Sequence, residues 1–309
     1  MKIKELSTLA NGAQAKIVGV LIKNNMMPKN GGGEYLQVGF KDASGVIEFP
    51  LFERCDIIHA KLEDGKIYQV TGTVNIWNGN VQLKSVMFLP LETDVALENL
   101  GREHFLHSYS KEAIDAACTY ISDIINRMDE GYRTVLYYLT GLDKSGNYSR
   151  FITCPSAEKH HGAKIGGLVI HTAGVLQNVD NMINNYIIGV ANDFKTDEPV
   201  INVDRTLFKA IVHDIAKMRE YEYNTVIRRK PNVVGHLIDG CADLEQAVKH
   251  LRSKTSKELI SDEDIENIKY SILSHHGQYG PYQPKTLEDE IIHLADMIDA
   301  RFIGEIEKK

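Results

Sequence analysis

Three ionisable residues interrupt the apolar stretch LFKAIVHDIAKMRE, residues 207–220, which predicts a largely buried helix. At this spacing His213, Asp214 and Lys217 can all point into one cleft. Ionisable groups in apolar surroundings are costly unless they are paired or bind a metal ion. Because imidazole and carboxylate suit divalent transition ions, the His213-Asp214 pair predicts half of a metal site.

The other ligands of such a site must come from elsewhere in the chain. The candidates lie in or at the ends of apolar helical stretches, and they are His171, His236, His275, His276 and Asp296. A single histidine on an apolar helix face is more often a hydrogen-bonded core residue, so the case for ligands depends on the whole set. Asp299, close to Asp296, reads as an ordinary residue of the polar helix face.

The composition is that of a soluble globular protein long enough for two domains. The chain has 309 residues, of which 43% are hydrophobic and 25% charged. A net charge of −7 argues against binding of polyanions over the whole surface, although a local basic groove remains compatible with it. Four widely spaced cysteines, with no signal peptide and no membrane-spanning apolar run, predict a cytoplasmic protein with reduced thiols and no membrane partner.

The first ninety residues predict a small β domain. Short strands alternate with turn signals, and Asn78-Gly79 between two β-rich runs is a strong hairpin signal. A short helix is expected within residues 52–65, so five strands with a helix after the third give the order of a small OB-fold barrel. We therefore predict an all-β OB-fold domain at 1–90, a linker at 91–110 and an all-α domain at 111–309.

Residues 38–53 and 62–86 resemble the OB-folds of nucleic-acid-binding proteins. The resemblance implies that Trp77, Tyr35 and Phe40 stack on bases and that Lys41 contacts phosphates. The alternative is that the aromatic rings fill the barrel core, which is the stronger reading for Phe40. Trp77 lies beside the hairpin turn and is expected to be exposed.

The order of the histidines and acids resembles that of HD-domain metal phosphohydrolases. The resemblance implies that an all-helical domain gathers the metal ligands His171, His213, Asp214, His236, His275 and Asp296. In this interpretation Asp214 bridges two ions, His275 is a ligand of the second ion, and His276 faces the substrate. Spacing alone does not decide between His275 and His276.

The segments GGLVIHT, ILSHHGQYG and ADMIDAR, behind an N-terminal OB-fold, resemble the YhaM-type 3'-5' exoribonucleases. The resemblance implies a metal-dependent hydrolase of single-stranded RNA, with DNA also open, and favours a homo-oligomer. It suggests Mn²⁺, while Mg²⁺, Co²⁺, Ni²⁺ and Fe²⁺ also fit such ligands.

In that reaction Asp214 bridges the ions and Lys217 meets a phosphate oxygen. His160, His161 and His276 bind phosphate or protonate the leaving oxygen, although a loop that caps the next helix would also explain His160 and His161. Two other functions remain open at this point. One is a phosphohydrolase of nucleotides or cyclic dinucleotides with a regulatory OB domain, and the other is a non-enzymatic single-strand-binding protein.

Overall fold

The computed structural model describes residues 1–159, 162–187, 189, 200–231 and 233–307. The chain divides into two compact units. The first comprises Met1–His107 and Tyr223–Ile227, and the second comprises Ser108–Glu222 and Arg228–Lys309. Among the described helices, none has the length and apolar character needed to cross a membrane.

The first unit contains a five-stranded antiparallel sheet with the order β3-β2-β1-β4-β5. Its strands are β1 (Gln14–Pro28), β2 (Glu34–Asp42), β3 (Gly45–Leu51), β4 (Ile67–Trp77) and β5 (Asn80–Leu91). The short helix α1 (Cys55–His59) lies between β3 and β4, as predicted. The first half of β1 pairs with β4 and the second half with β2, and an irregularity between Leu21 and Lys23 lies near the change of partner. A long bent strand shared by both halves of a sheet is how a small barrel curls, and the predicted all-β fold is confirmed.

The β4–β5 hairpin turns at Asn78 and Gly79, which both have positive φ, 48° and 78°. This is the backbone of a two-residue type I′ turn, which explains the Asn-Gly pair. Inward-facing apolar residues fill the interior, among them Phe40 and Phe49. The segment predicted as a linker contains the helix α2 (Thr93–Leu100), and the chain as far as His107 belongs to this unit.

The second unit is helical, as predicted. Its helices are α3 (Lys111–Arg127), α4 (Glu130–Thr140), α5 (Tyr148–Thr153), α6 (Gly167–Met182), α7 (Val203–Val212), α8 (Lys217–Glu220), α9 (His236–Thr255), α10 (Asp262–Ser274) and α11 (Leu287–Ile306). Side-chain caps fix several helix starts, since Ser110, Ser261 and Thr286 each accept a hydrogen bond from the backbone three residues on. The apolar helix α6 packs against α3, α5, α7 and α11 and so forms the centre of the bundle.

The prediction of one continuous helix over residues 207–220 is wrong. Helix α7 ends at Val212, and α8 begins at Lys217 after a tight turn. Within the turn the backbone bonds span three residues, as in the 2.9 Å bond from the Lys217 N–H to the Asp214 carbonyl. Residues three apart eclipse one another in such a tightened turn, which brings the Lys217 side chain over Asp214.

Candidate metal centre

The first cluster of ligand atoms joins three helices of the second unit. His171 comes from α6, His213 caps the end of α7, and Asp296 projects from α11. The Nε2 atom of His171 lies 3.2 Å from Nε2 of His213 and 3.1 Å from Oδ1 of Asp296. Oδ2 of Asp214 lies 3.4 Å from both of these Nε2 atoms. Three imidazole and carboxylate groups here, His171, His213 and Asp214, each offer an atom close enough to share one ion.

The second cluster lies on the other side of the same aspartate. Oδ1 of Asp214 is 3.3 Å from Nε2 of His236 and 3.6 Å from Nε2 of His275. His236 is the first residue of α9 and follows Gly235, whose φ of 120° suits glycine. His275 caps the end of α10, and His276 lies close enough to join the same group. Asp214 therefore directs one carboxylate oxygen at each cluster.

Hydrogen bonds at Nδ1 set the orientation of all four imidazoles. His213 and His275 donate from Nδ1 to the carbonyls of Ala210 and Ile272, at 2.8 and 2.9 Å. His171 and His236 instead meet carboxylates at Nδ1, Asp299 at 2.6 Å and Glu220 at 2.7 Å. Because a carbonyl or a carboxylate accepts, each Nδ1 is the donor, and the Nε2 atom of each ring is left facing the Asp214 carboxylate.

The second cluster brings acceptor atoms together with no donor between them. Three buried atoms, Asp214 Oδ1, His236 Nε2 and His275 Nε2, have no hydrogen-bond partner among the described residues. Buried polar atoms are nearly always satisfied, so this group of acceptors calls for a positive charge. Imidazole nitrogens mixed with carboxylate oxygens are the donor set of divalent transition ions, and the residues therefore fit such an ion.

The close packing of these imidazoles and carboxylates shifts the pKa values of several of them. Burial by itself lowers the pKa of His171, but hydrogen bonds to Asp214, Asp296 and Asp299 outweigh it and raise that pKa well above its ordinary value. Burial opposes ionisation of Asp214, yet Lys217 and His213 hold its pKa well below the usual range. Burial and the neighbouring His213 lower the pKa of His275, which keeps its ring neutral and able to bind a metal. The carboxylates that draw a proton to His171 would equally favour a cation in its place.

Two acids that orient the ligands were not predicted from the sequence. Asp299, expected on the polar face, is buried against His171, and that expectation is wrong. Its position one turn after Asp296 was a usable signal, because residues three apart share a helix face. A Cβ atom at position 174 would overlap Asp299, so Gly174 leaves room for this contact. Glu220, which also pairs with Arg229 at 2.7 Å, carries no comparable signal.

The predicted catalytic side chains have the following positions. Nζ of Lys217 lies 2.6 Å from Oδ2 of Asp214, and its side chain is 12% exposed. His276 is half-buried beside His275, with ring centroids 4.2 Å apart. His160 and His161 lie outside the described residues.

In the first unit the predicted nucleic-acid-binding residues separate into exposed and buried ones. Trp77 is 62% exposed, Lys41 is exposed and Tyr35 is half-buried. Phe40 is fully buried, and it stacks on Phe49 and Phe88 inside the barrel. Its proposed contact with a base is therefore wrong, because the ring is already packed on all sides by the core.

A second exposed aromatic residue, Phe52, was not predicted. It is 61% exposed, and its ring centroid lies 5.7 Å from that of Tyr35. The Lys29 ammonium lies over the Phe52 ring, 5.5 Å from its centroid. The pair borders a cavity of about 640 Å³ within this unit. Nothing in the sequence around Phe52 distinguishes it from a core phenylalanine.

The fold and the site define a class of protein, in which a five-stranded β unit precedes a helical unit with paired histidine and aspartate clusters. Residues 168–301 match the HD domain family, and this stretch contains all six predicted metal ligands.

Over most of its length the chain is similar to bacterial proteins that are named 3'-5' exoribonuclease YhaM. The relative from Oceanobacillus iheyensis is 25% identical over 307 residues, which covers 95% of this chain and 88% of that protein. The relative from Bacillus subtilis is 25% identical over 278 residues, covering 87% and 79%. The relative from Listeria monocytogenes serotype 4b is 25% identical over 291 residues, covering 91% and 83%. The resemblance predicted from the sequence is confirmed.

Proposed function

We propose that this protein is a metal-dependent 3'-5' exonuclease that hydrolyses the phosphodiester bonds of single-stranded RNA. The observation that carries the proposal is the position of Asp214, which directs one oxygen at each of two histidine clusters. A carboxylate shared in this way is suited to a two-metal phosphodiesterase site. The names of the relatives supply the direction and the class of strand.

The metal ligands in this proposal are divided between the two oxygens of Asp214. His171, His213 and Asp296 would hold one ion, and His236 and His275 would hold the other. We propose Mn²⁺ for both positions, consistent with a mixed imidazole and carboxylate donor set. Bound divalent ions would activate a water molecule and neutralise charge on the phosphate.

Two side chains beside the metal centre, Lys217 and His276, would contact the phosphate of the strand. The Lys217 ammonium, held on Asp214 and partly exposed, is placed to meet a phosphate oxygen as a point charge. Burial lowers the pKa of His276, so at neutral pH its ring is neutral. We therefore assign His276 as a hydrogen-bond donor to the phosphate or to the leaving 3' oxygen.

The β unit would hold the single strand. Exposed rings at Trp77 and Phe52, with Tyr35 beside the latter, offer faces on which successive bases stack. Each stacked base contributes about 1–3 kcal/mol and is not sequence-specific. Lys29 and Lys41 supply positive charge for the phosphates.

The test uses 5'-labelled RNA and DNA oligonucleotides, with and without Mn²⁺, and separate reactions with dNTPs and cyclic dinucleotides. We expect a ladder that shortens from the 3' end of RNA and disappears on chelation of the metal or with Asp214→Ala. Release of product from dNTPs or cyclic dinucleotides alone would favour the phosphohydrolase function. Normal strand binding by Asp214→Ala with undiminished degradation would contradict a role for the metal site. The DNA reaction decides whether the activity extends to that strand.

We also propose a cytoplasmic location and a homo-oligomeric state. All four cysteines are free thiols, which favours a reducing compartment. The oligomeric state is measured by light scattering on the purified chain, where a monomer at all concentrations would contradict it.

A further inference from the structure

A cavity of about 430 Å³ opens beside the second cluster of the metal centre, within the helical unit. Its lining residues are His275, His276, Tyr279, His293, Asp296, Met297, Ala300 and Arg301. This volume lies in the range of cavities that bind small organic ligands, roughly 300–1,000 Å³. Three of the lining residues belong to the metal centre already described, and His293 donates from Nδ1 to the His275 carbonyl at 2.7 Å.

Tyr279 presents an exposed ring on a fixed backbone. The side chain is 74% exposed and makes no hydrogen bond or ring contact with any residue that the structure describes. Its N–H nevertheless donates to the His276 carbonyl at 3.1 Å, and Gln283 holds the Gly277 carbonyl at 2.8 Å. A Cβ atom at Gly277, which has φ of 52°, would overlap the His293 ring. The turn is thus packed tightly while the aromatic ring that it carries lies in solvent.

Arg301 gives this cavity a positive charge that is present at every physiological pH. It is exposed, and within the described part of the chain it has no ion pair or hydrogen bond. It lies one helical turn after Met297, so both border the cavity from the same face of α11. Met297 and Ala300 give that wall an apolar surface. An apolar wall, a free aromatic ring and a free guanidinium are together suited to a nucleotide.

We propose that this cavity binds the 3'-terminal nucleotide of the strand, with its base stacked on Tyr279 and its 5'-phosphate contacted by Arg301. The proposal rests on the exonuclease function proposed above, because it places the nucleotide to be removed next to the metal centre. Arg301 would then contact the scissile phosphate beside the metal centre, and the nucleoside would fill the rest of the cavity. Stacking accepts every base, as removal of successive nucleotides requires.

The first test measures equilibrium binding of AMP and of ribose 5-phosphate by calorimetry in Mn²⁺. We expect the wild-type protein to bind AMP more tightly, by roughly fivefold to a hundredfold, from base stacking. Tyr279→Ala should abolish this preference, whereas Tyr279→Phe should keep it because the ring remains. Arg301→Gln should weaken both ligands by similar factors. Phe302→Ala is the control, since Phe302 is 68% exposed on the same helix but does not line the cavity.

The second test compares the removal rates of a 3'-terminal base-bearing nucleotide and of a 3'-terminal abasic one from labelled RNA. Tyr279→Ala should slow the first reaction and leave the second unchanged. Wild-type protein that shortens neither strand would contradict the exonuclease function itself. Shortening that is indifferent to Tyr279, together with an AMP preference that survives its loss, would overturn only the assignment of the cavity.

Discussion

Replacing the acids behind the two clusters should separate the two metal sites. Asp299→Asn removes the charge that faces Nδ1 of His171 at 2.6 Å, and Glu220→Gln does the same for His236 at 2.7 Å. Asp299 and Glu220 are only 7% and 4% exposed, so water replaces little of the lost interaction. Partners of this kind typically contribute about 10- to 100-fold in metal affinity. That range corresponds to about 1.4–2.7 kcal/mol at one site.

The assay is calorimetric titration of the metal-free protein with Mn²⁺, followed by metal analysis of the isolated protein. We expect two binding steps in the wild type, with Asp299→Asn weakening one step and Glu220→Gln weakening the other. Glu290→Gln serves as the control, because Glu290 is an exposed acid on the same helix as Asp299. If both substitutions weakened the same single step, Asp214 would not divide its oxygens between two ions. Unchanged affinity in both variants would refute the role of these acids altogether.

Three further predictions concern positions around the site. Gly174→Ala should reduce Mn²⁺ affinity much as Asp299→Asn does, because the added methyl group would displace the Asp299 carboxylate; titration measures this. Lys209→Met should destabilise the helical unit by about 3–5 kcal/mol in urea unfolding, because it leaves the buried Asp289 without the cation that lies 3.0 Å away. Glu288 also loses its contact with Lys209 at 2.9 Å but keeps Arg205 at 2.7 Å. The third prediction concerns Glu288. Burial acts to raise the pKa of this carboxyl group, but pairing with Arg205 and Lys209 outweighs it and lowers the pKa to about 2. The ionised Glu288 therefore contributes its full stabilisation above the unfolded pKa of about 4.3, and this stabilisation is lost as the pH falls toward 2. The free energy of unfolding of Glu288→Gln should fall less steeply over this acid range.

Each of these predictions has an outcome that contradicts it. Metal affinity of Gly174→Ala equal to wild type would mean that Asp299 does not depend on this space. For Lys209→Met the control is Lys111→Met, whose pair with Asp115 is exposed and should leave the unfolding midpoint nearly unchanged. Equal losses in both variants would contradict the buried network. An identical acid profile in Glu288→Gln would show that other carboxylates determine the acid limit.

The sequence predicted residues that the structure brings together in the candidate metal centre, and it missed the acids that contact them. The order of His171, His213, Asp214, His275 and Asp296 is readable because each is a polar residue in an apolar helical pattern. The contacts of Asp299 and Glu220 with these histidines are not readable from the sequence, although the spacing of Asp299 from Asp296 was a usable signal for its helix face. Asp299 is 128 residues from His171, and Glu220 is 16 residues from His236. Only the packing of α6 against α11, or the chain path after α8, brings these groups together.

The β unit was predicted well in its strands and less well in its surface. Alternation and the Asn-Gly turn determine the hairpins locally. Whether an aromatic residue faces the core or the solvent depends on the register and the curl of the barrel. Phe40, a candidate for base stacking, is buried within β2, whereas Phe52, which was not a candidate, is exposed just after the end of β3. The break in the helix at Val212 was also missed, because its apolar pattern continues through the turn.

That break explains how the metal centre is built from local backbone. The last carbonyls of an α-helix have no partner within the helix. His213 and His275 are both C-caps, and each donates Nδ1–H to the carbonyl three residues before it. The same contact satisfies an orphan carbonyl, fixes the tautomer and leaves Nε2 free to bind a metal. In an uninterrupted helix the Ala210 carbonyl would also accept the ladder bond from the N–H of residue 214, and the His213 ring would share that acceptor. The end of α7 therefore leaves the Ala210 carbonyl to His213 alone, and a variant that extends this helix should lose Mn²⁺ affinity, measured by titration, before it loses stability in urea.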